Sequence, residues 1–183
     1  MKILIVGGGI GGLAVYCALR KHLGDTTGIS INIVESHESP ARTRSIGGGL
    51  GIAPNGLQAI SSISSEAVSY LLNDGFQLSS MTFRNSKGRW LGQIGFNSQR
   101  TKFPMVMMRR ASICEALLPG LRQEDVRWGL EVLSVKLQDD GAGVIVEFAD
   151  GTTETADLVI GADGMRSKVK GSLFKGELPA VYQ

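Results

Sequence analysis

The segment Gly7-Gly-Gly-Ile-Gly-Gly12, set directly behind the apolar run Ile3–Val6, constrains this chain more than any other feature. The apolar run reads as a buried strand. Leu13, Cys17 and Leu19 to Leu23 recur at helical spacing, so residues 11–23 read as a helix. Gly7, Gly9 and Gly12 therefore form GxGxxG between a strand and a helix, the context in which that spacing has a physical meaning. The first glycine permits the tight turn. The second lets backbone N–H groups approach a pyrophosphate, and the third lets the helix pack closely on the strand. The helix amino terminus then presents its partial positive charge to the phosphates.

Beyond Gly24, the stretch Ile29 to Val34 alternates polar and β-branched residues and ends at Glu35, a second strand in a parallel βαβ unit. An acid about 20 residues past the glycines can accept hydrogen bonds from both adenosine ribose hydroxyls and would repel a 2′-phosphate. The pair of features indicates dinucleotide binding without separating NAD from FAD.

Residues 36–51 read as a polar, glycine-rich loop, followed by helices from Pro54 through Ile60 and from Glu66 to Leu72. Phe76 to Phe83 and Arg89 to Phe96, joined through Asn85 to Gly88, read as a hairpin interrupting the parallel pattern. Ala111 to Leu118 is helical and stops at Pro119-Gly120. Val126–Trp128, Glu131–Leu137, Val144–Phe148 and Thr152–Thr155 read as an antiparallel meander, and Leu158–Ile160 as a last strand before a helix from Ser167.

Three further segments bear on the cofactor. Gly47-Gly-Gly-Leu-Gly-Ile-Ala-Pro-Asn55 resembles the GAGIxLxPN segment of the class A flavoprotein monooxygenases, the group that includes para-hydroxybenzoate and salicylate hydroxylases. Arg110-Ala-Ser-Ile113 resembles that family's RxxL-like helix start, and Asp157 to Gly164 resembles its DG motif. The resemblance implies an α/β fold: a Rossmann-like FAD-binding domain of glutathione-reductase type, with an antiparallel β-meander and a partial second sheet. It implies that residues 1–72 and 107–183 form the FAD-binding domain and residues 73–106 a hairpin inserted from a partial substrate domain. Gly7, Gly9, Gly12 and Glu35 would hold the adenosine diphosphate portion. Gly48 would lie near the ribityl side, Arg110 would bond along the cofactor, and Asp163 with Gly164 would order the turn at the pyrophosphate. Pro54 and Asn55 would lie beside the flavin ring. Trp90 and Gln93, with Met107 and Met108, would contribute a substrate wall.

The function so implied is an FAD-dependent monooxygenase acting on an aromatic or polyketide-like small molecule, with NAD(P)H as reductant. The later GD motif of that family is not among the 183 residues, so a truncated form is expected. Oxygen transfer at a flavin needs a water-poor site, which a shortened chain would enclose poorly. Sheet edges and apolar faces would then be covered by a second copy or a complementary subunit. The alternatives are a shortened relative that binds a hydrophobic substrate and catalyses a redox-free cyclisation or isomerisation, a non-catalytic subunit, and an NAD-binding dehydrogenase module. The Arg110 and Asp163 segments count against the last.

A net charge of +2 from 19 basic and 17 acidic residues makes no case for nucleic acid. No apolar run approaches the roughly 20 residues of a membrane span. Cys17 and Cys114 sit in no CxxC pair, which fits a reducing cytoplasmic setting, and His22 and His37 form neither a metal cluster nor a hydrolytic triad.

Overall fold

The computed structural model describes residues 1–24, 26–41, 47–96, 101–139 and 141–174. Part of the expected glycine-rich loop, residues 42–46, and Asp140 of the Asp-Asp-Gly turn lie outside them. In chain order the first elements are β1 (Lys2–Val6), α1 (Ile10–Leu23), β2 (Ser30–Glu35), β3 (Gly49–Ile52), α2 (Pro54–Ile63) and α3 (Ser65–Asp74). Next come β4 (Phe76–Leu78), β5 (Ser80–Arg84), β6 (Trp90–Gly95), β7 (Met105–Arg109) and α4 (Arg110–Leu117). The chain continues through β8 (Val126–Trp128), β9 (Val132–Leu137), β10 (Val144–Phe148), β11 (Thr153–Ala156), β12 (Leu158–Gly161) and α5 (Lys168–Leu173).

Two compact units result: Met1–Thr43 with Gly120–Gln183, and Arg44–Pro119. In the first, a parallel sheet runs in the order β12-β1-β2-β8. Strand β1 is central, and Ile3, Leu4, Ile5 and Val6 are all buried, as a continuous apolar run in a parallel sheet should be. Leu4, Val6 and Val34 join Val146, Phe148, Ala156 and Val169 in one core cluster, so the sheet is covered by the antiparallel layer β11-β10-β9 and by α5. The mixed α/β class expected from the sequence is the one observed. One strand was placed differently: Val126–Trp128 is not a meander strand but pairs in parallel with β2, Ile33 opposite Val126. Periodicity cannot reveal that, because three residues carry no preference for one neighbour over another.

A side-chain network holds β8 at that position. The Tyr16 hydroxyl on α1 donates to Asp125 at 2.5 Å, and Arg20, one turn on, also pairs with Asp125. The Arg20 guanidinium stacks over the Tyr16 ring at 5.6 Å. Tyr16 is fully buried, and α1 thereby anchors the turn that leads into β8.

The second unit contains a three-stranded antiparallel sheet, β3-β7-β4, and the separate ribbon β5-β6. Here the structure corrects two expectations. Residues 49–51, read as the end of a loop, form with Ile52 a strand against β7, Gly51 opposite Met107. The run Phe76 to Phe83 is two strands, of which β4 pairs with β7 and only β5 enters the hairpin with β6. Because β7 is the shared partner of β3 and β4, this unit extends over Arg44–Pro119, wider than the insertion at 73–106 read from the sequence. Within it α3 is capped by Ser64, whose Oγ accepts from Ala67 N–H at 3.1 Å, and Tyr70 donates to Glu115 of α4 at 3.0 Å.

Candidate functional site

The turn from β1 to α1 shows directly why glycine occupies its fingerprint positions. Gly7 has φ +105°, and a Cβ there would lie 2.5 Å from the carbonyl oxygen of Ala162, beyond the end of β12. A Cβ on Gly12 would lie 1.8 Å from the carbonyl oxygen of Gly7, so α1 packs against the turn at backbone contact distance. Gly9 caps α1 in an extended conformation with no side-chain cap and no acid in the first turn. Its carbonyl accepts from Leu13 at 2.9 Å. The first-turn N–H groups of a helix have no intrahelical acceptor, and this one is built without a side-chain acceptor to replace it.

Glu35 closes the same corner of the first unit. It is only 6% exposed, and its Oε2 accepts from the Gly8 N–H at 2.5 Å. Oε1 accepts from the His37 N–H at 2.9 Å, from the Ser36 hydroxyl at 3.2 Å and from the His37 ring. Burial pushes the Glu35 pKa up, but the His37 and Gly8 donors more than reverse this, and the carboxyl sits below its ordinary value. A buried, ionised carboxylate therefore faces the glycine turn. A Cβ at Gly8 would come within 3.1 Å of the Glu35 Cβ, so a side chain there would crowd the acid.

Asp163 and Gly164 follow β12. Asp163 Oδ1 accepts from Ser167 Oγ at 2.6 Å, while Oδ2 accepts from the N–H groups of Lys168 and Val169 at 2.6 and 3.2 Å. The DG aspartate is thus a capping residue that fixes α5 and, through the chain, the Ala162 carbonyl beside Gly7. Gly164 has φ +77° and starts a 3-10 turn, Gly164–Arg166.

The remaining candidates lie in the second unit. The Arg110 N–H donates to the Gly48 carbonyl at 3.0 Å, and Gly47, at φ +120°, would place a Cβ 2.8 Å from Arg110 Cδ. Gly48 has open space where a Cβ would stand, so the sterically required glycine beside Arg110 is Gly47. Pro54 opens α2 as its first residue, half-buried, with Asn55 exposed beside it. Trp90 is 58% exposed on the ribbon, whereas Met108 is buried and would meet a Cβ at Gly75 at 3.0 Å. Met108 fills the interior of this unit, and its burial leaves it little surface to offer as a wall with Trp90.

A glycine-lined strand–turn–helix, closed by a buried acid at the end of the next parallel strand, defines a dinucleotide-binding domain. The NAD(P)-binding Rossmann-like domain family matches residues 5–74. The 2-heptyl-3-hydroxy-4(1H)-quinolone synthase of Mycobacteroides abscessus is 32% identical over 92% of this chain and 41% of its own. The FAD-dependent monooxygenase pynG of Aspergillus niger is 31% identical, covering 94% of this chain and 38% of its own. The crystal structure of Klebsiella pneumoniae HpxO complexed with FAD and uric acid superposes with a TM-score of 0.75 at 25% identity, over 93% of this chain and 41% of that one. The chain is similar to FAD-dependent monooxygenases, and spans about two fifths of the length of these relatives. No helix among the described residues is long and apolar enough to cross a membrane.

Proposed function

We propose that this chain is the FAD-binding part of a monooxygenase acting on an aromatic or polyketide-like small molecule, with NAD(P)H as reductant. The observation that carries the reading is the ionised Glu35 carboxylate, buried against the Gly8 N–H at the mouth of the glycine turn. The residues fit an adenosine diphosphate group: the turn Gly7 to Gly9 carries no side chain, and α1 begins there without a competing cap. Bound FAD would supply two-electron redox chemistry and oxygen activation. The chain's own contribution is binding and orientation. Glu35 accepts from a ribose hydroxyl and repels a 2′-phosphate, the first-turn N–H groups of α1 meet the pyrophosphate, and Asp163 fixes the neighbouring turn by capping α5.

In the second unit, Arg110 with Gly48 is the candidate cofactor contact, and Pro54, Asn55 and Trp90 are the candidate substrate-side residues. The hairpin leaves Met81, Phe83, Trp90, Leu91 and Ile94 exposed, which supports cover by a second copy or a complementary subunit. Neither Cys17 nor Cys114 is in a disulfide, which supports a cytoplasmic location.

Purification with bound flavin, or uptake of added FAD followed by NAD(P)H oxidation, is the expected result. Exchange of Gly9 for valine or Glu35 for alanine should abolish the uptake. A colourless protein that binds no FAD overturns the reading, and one that still converts substrate points to redox-free isomerisation.

A further inference from the structure

Glu35 does not hold itself. Its carboxylate is distributed unevenly between protein donors, and the imbalance traces to His37. Oε1 receives the His37 main-chain N–H, the His37 ring and the Ser36 hydroxyl, whereas Oε2 receives the Gly8 N–H. Each carboxylate oxygen has about two acceptor sites, so among the described residues Oε1 is saturated and Oε2 keeps one site open. His37 is itself anchored: its carbonyl accepts from Gly129 N–H at 2.8 Å, just beyond β8, while the Glu35 carbonyl accepts from Leu130 N–H at 2.9 Å. Main chain fixed on the β8 side and ring fixed on Oε1 leave the carboxylate one orientation.

The chemistry assigns the proton. An ionised carboxylate can only accept, so the ring contact is Nδ1–H to Oε1. The His37 side chain is 40% exposed while that of Glu35 is 8% exposed, so the imidazole stands on the solvent side of the buried acid.

We propose that His37 is a positioning residue of the adenosine-ribose site: by occupying Oε1 with two donors it turns Oε2 toward the ribose and makes that oxygen the acceptor for the 2′-hydroxyl. The proposal rests on the FAD reading above and goes beyond it, because it assigns to this side chain the discrimination between ribose and deoxyribose that Glu35 alone would exert loosely. His37 touches the acid and acts through it.

The test is calorimetric titration of the full chain with FAD, ADP and 2′-deoxy-ADP, for the wild type, His37→Asn and His37→Leu. Asparagine can place a donor where Nδ1 stands; leucine cannot. His37→Leu should weaken FAD and ADP roughly tenfold, the scale of one lost hydrogen bond to a charged group. The same variant should bind 2′-deoxy-ADP like the wild type, and His37→Asn should restore ADP binding. Equal weakening of ADP and 2′-deoxy-ADP in His37→Leu, or unchanged ADP binding, overturns this proposal while wild-type binding keeps the FAD reading intact. A wild type that binds neither FAD nor ADP overturns both. Nitrogen NMR of the nucleotide-free protein gives a readout independent of ligand: His37 protonated on Nδ1 is the expected tautomer, and protonation on Nε2 alone overturns the assignment.

Discussion

The main-chain nitrogen of Gly8 lies 2.5 Å from Oε2 of Glu35, so the glycine turn after β1 and the end of β2 are joined by a hydrogen bond inside the first unit. Two features 27 residues apart in sequence thus form one structure. The same bond makes the turn sensitive to the charge of the acid.

Glu35→Gln should lower stability by about 1–3 kcal/mol at neutral pH, since a buried N–H acceptor is exchanged for a neutral amide. The folded-state pKa is depressed below the ordinary 4.5, so the carboxylate's contribution is present above that value and disappears as pH falls through the lower, folded one. Urea unfolding of both proteins across pH should show the difference between them shrinking steadily below about pH 4. A constant difference down to acid pH would contradict the assignment.

Gly12→Ala and Gly48→Ala separate steric need from mere composition. The first puts a Cβ 1.8 Å from a backbone carbonyl that cannot move without breaking the turn. It should cost about 3 kcal/mol or more, or prevent folding. The second meets open space and should leave the denaturation midpoint within about 0.5 kcal/mol of the wild type. Loss of flavin retention in Gly48→Ala at unchanged stability would then assign Gly48 a cofactor contact.

Asp163→Ala removes the acceptor for Lys168 and Val169 N–H and for the Ser167 hydroxyl. The expected destabilisation is about 1–2 kcal/mol, the usual cost of a lost cap. Amide hydrogen exchange should localise the increased opening to α5, with β1 and β2 still protected.

Tyr16 should ionise above the ordinary tyrosine range, because burial opposes the phenolate and the Asp125 carboxylate accepts the hydroxyl proton. Spectrophotometric titration of the wild type against Tyr16→Phe isolates this group. The substitution should cost about 1 kcal/mol, with Asp125 retaining its Arg20 partner.

Much of the first unit was legible in the sequence because its signals are local. The apolar strand, the glycine spacing and Glu35 at the second strand's end each act within a few residues, and each corresponds to a contact that would fail with another residue type. The 3.6-residue and two-residue periods placed α1, α4 and the β9–β10 pairing for the same reason. Residues 49–52 were not legible as a strand, since four residues with two glycines have weak intrinsic preference and extend only because β7 supplies the ladder. Gly8 and His37 were given no role at Glu35 from the sequence: neither belongs to the fingerprint spacing, and their importance lies in a carboxylate that folding brings to them.

By itself the sequence determined that a strand, a tight turn and a helix follow one another with no side chain in the turn, and that an acid ends the next strand. Those are consequences of steric exclusion and short-range periodicity, which need no partner. Only the tertiary structure decided that β8 completes the parallel sheet beside β2, that Met108 is interior, and that His37 holds one oxygen of Glu35 while Gly8 holds the other. These depend on pairing and burial between segments distant in the chain, whose energies exist only once the backbone has closed.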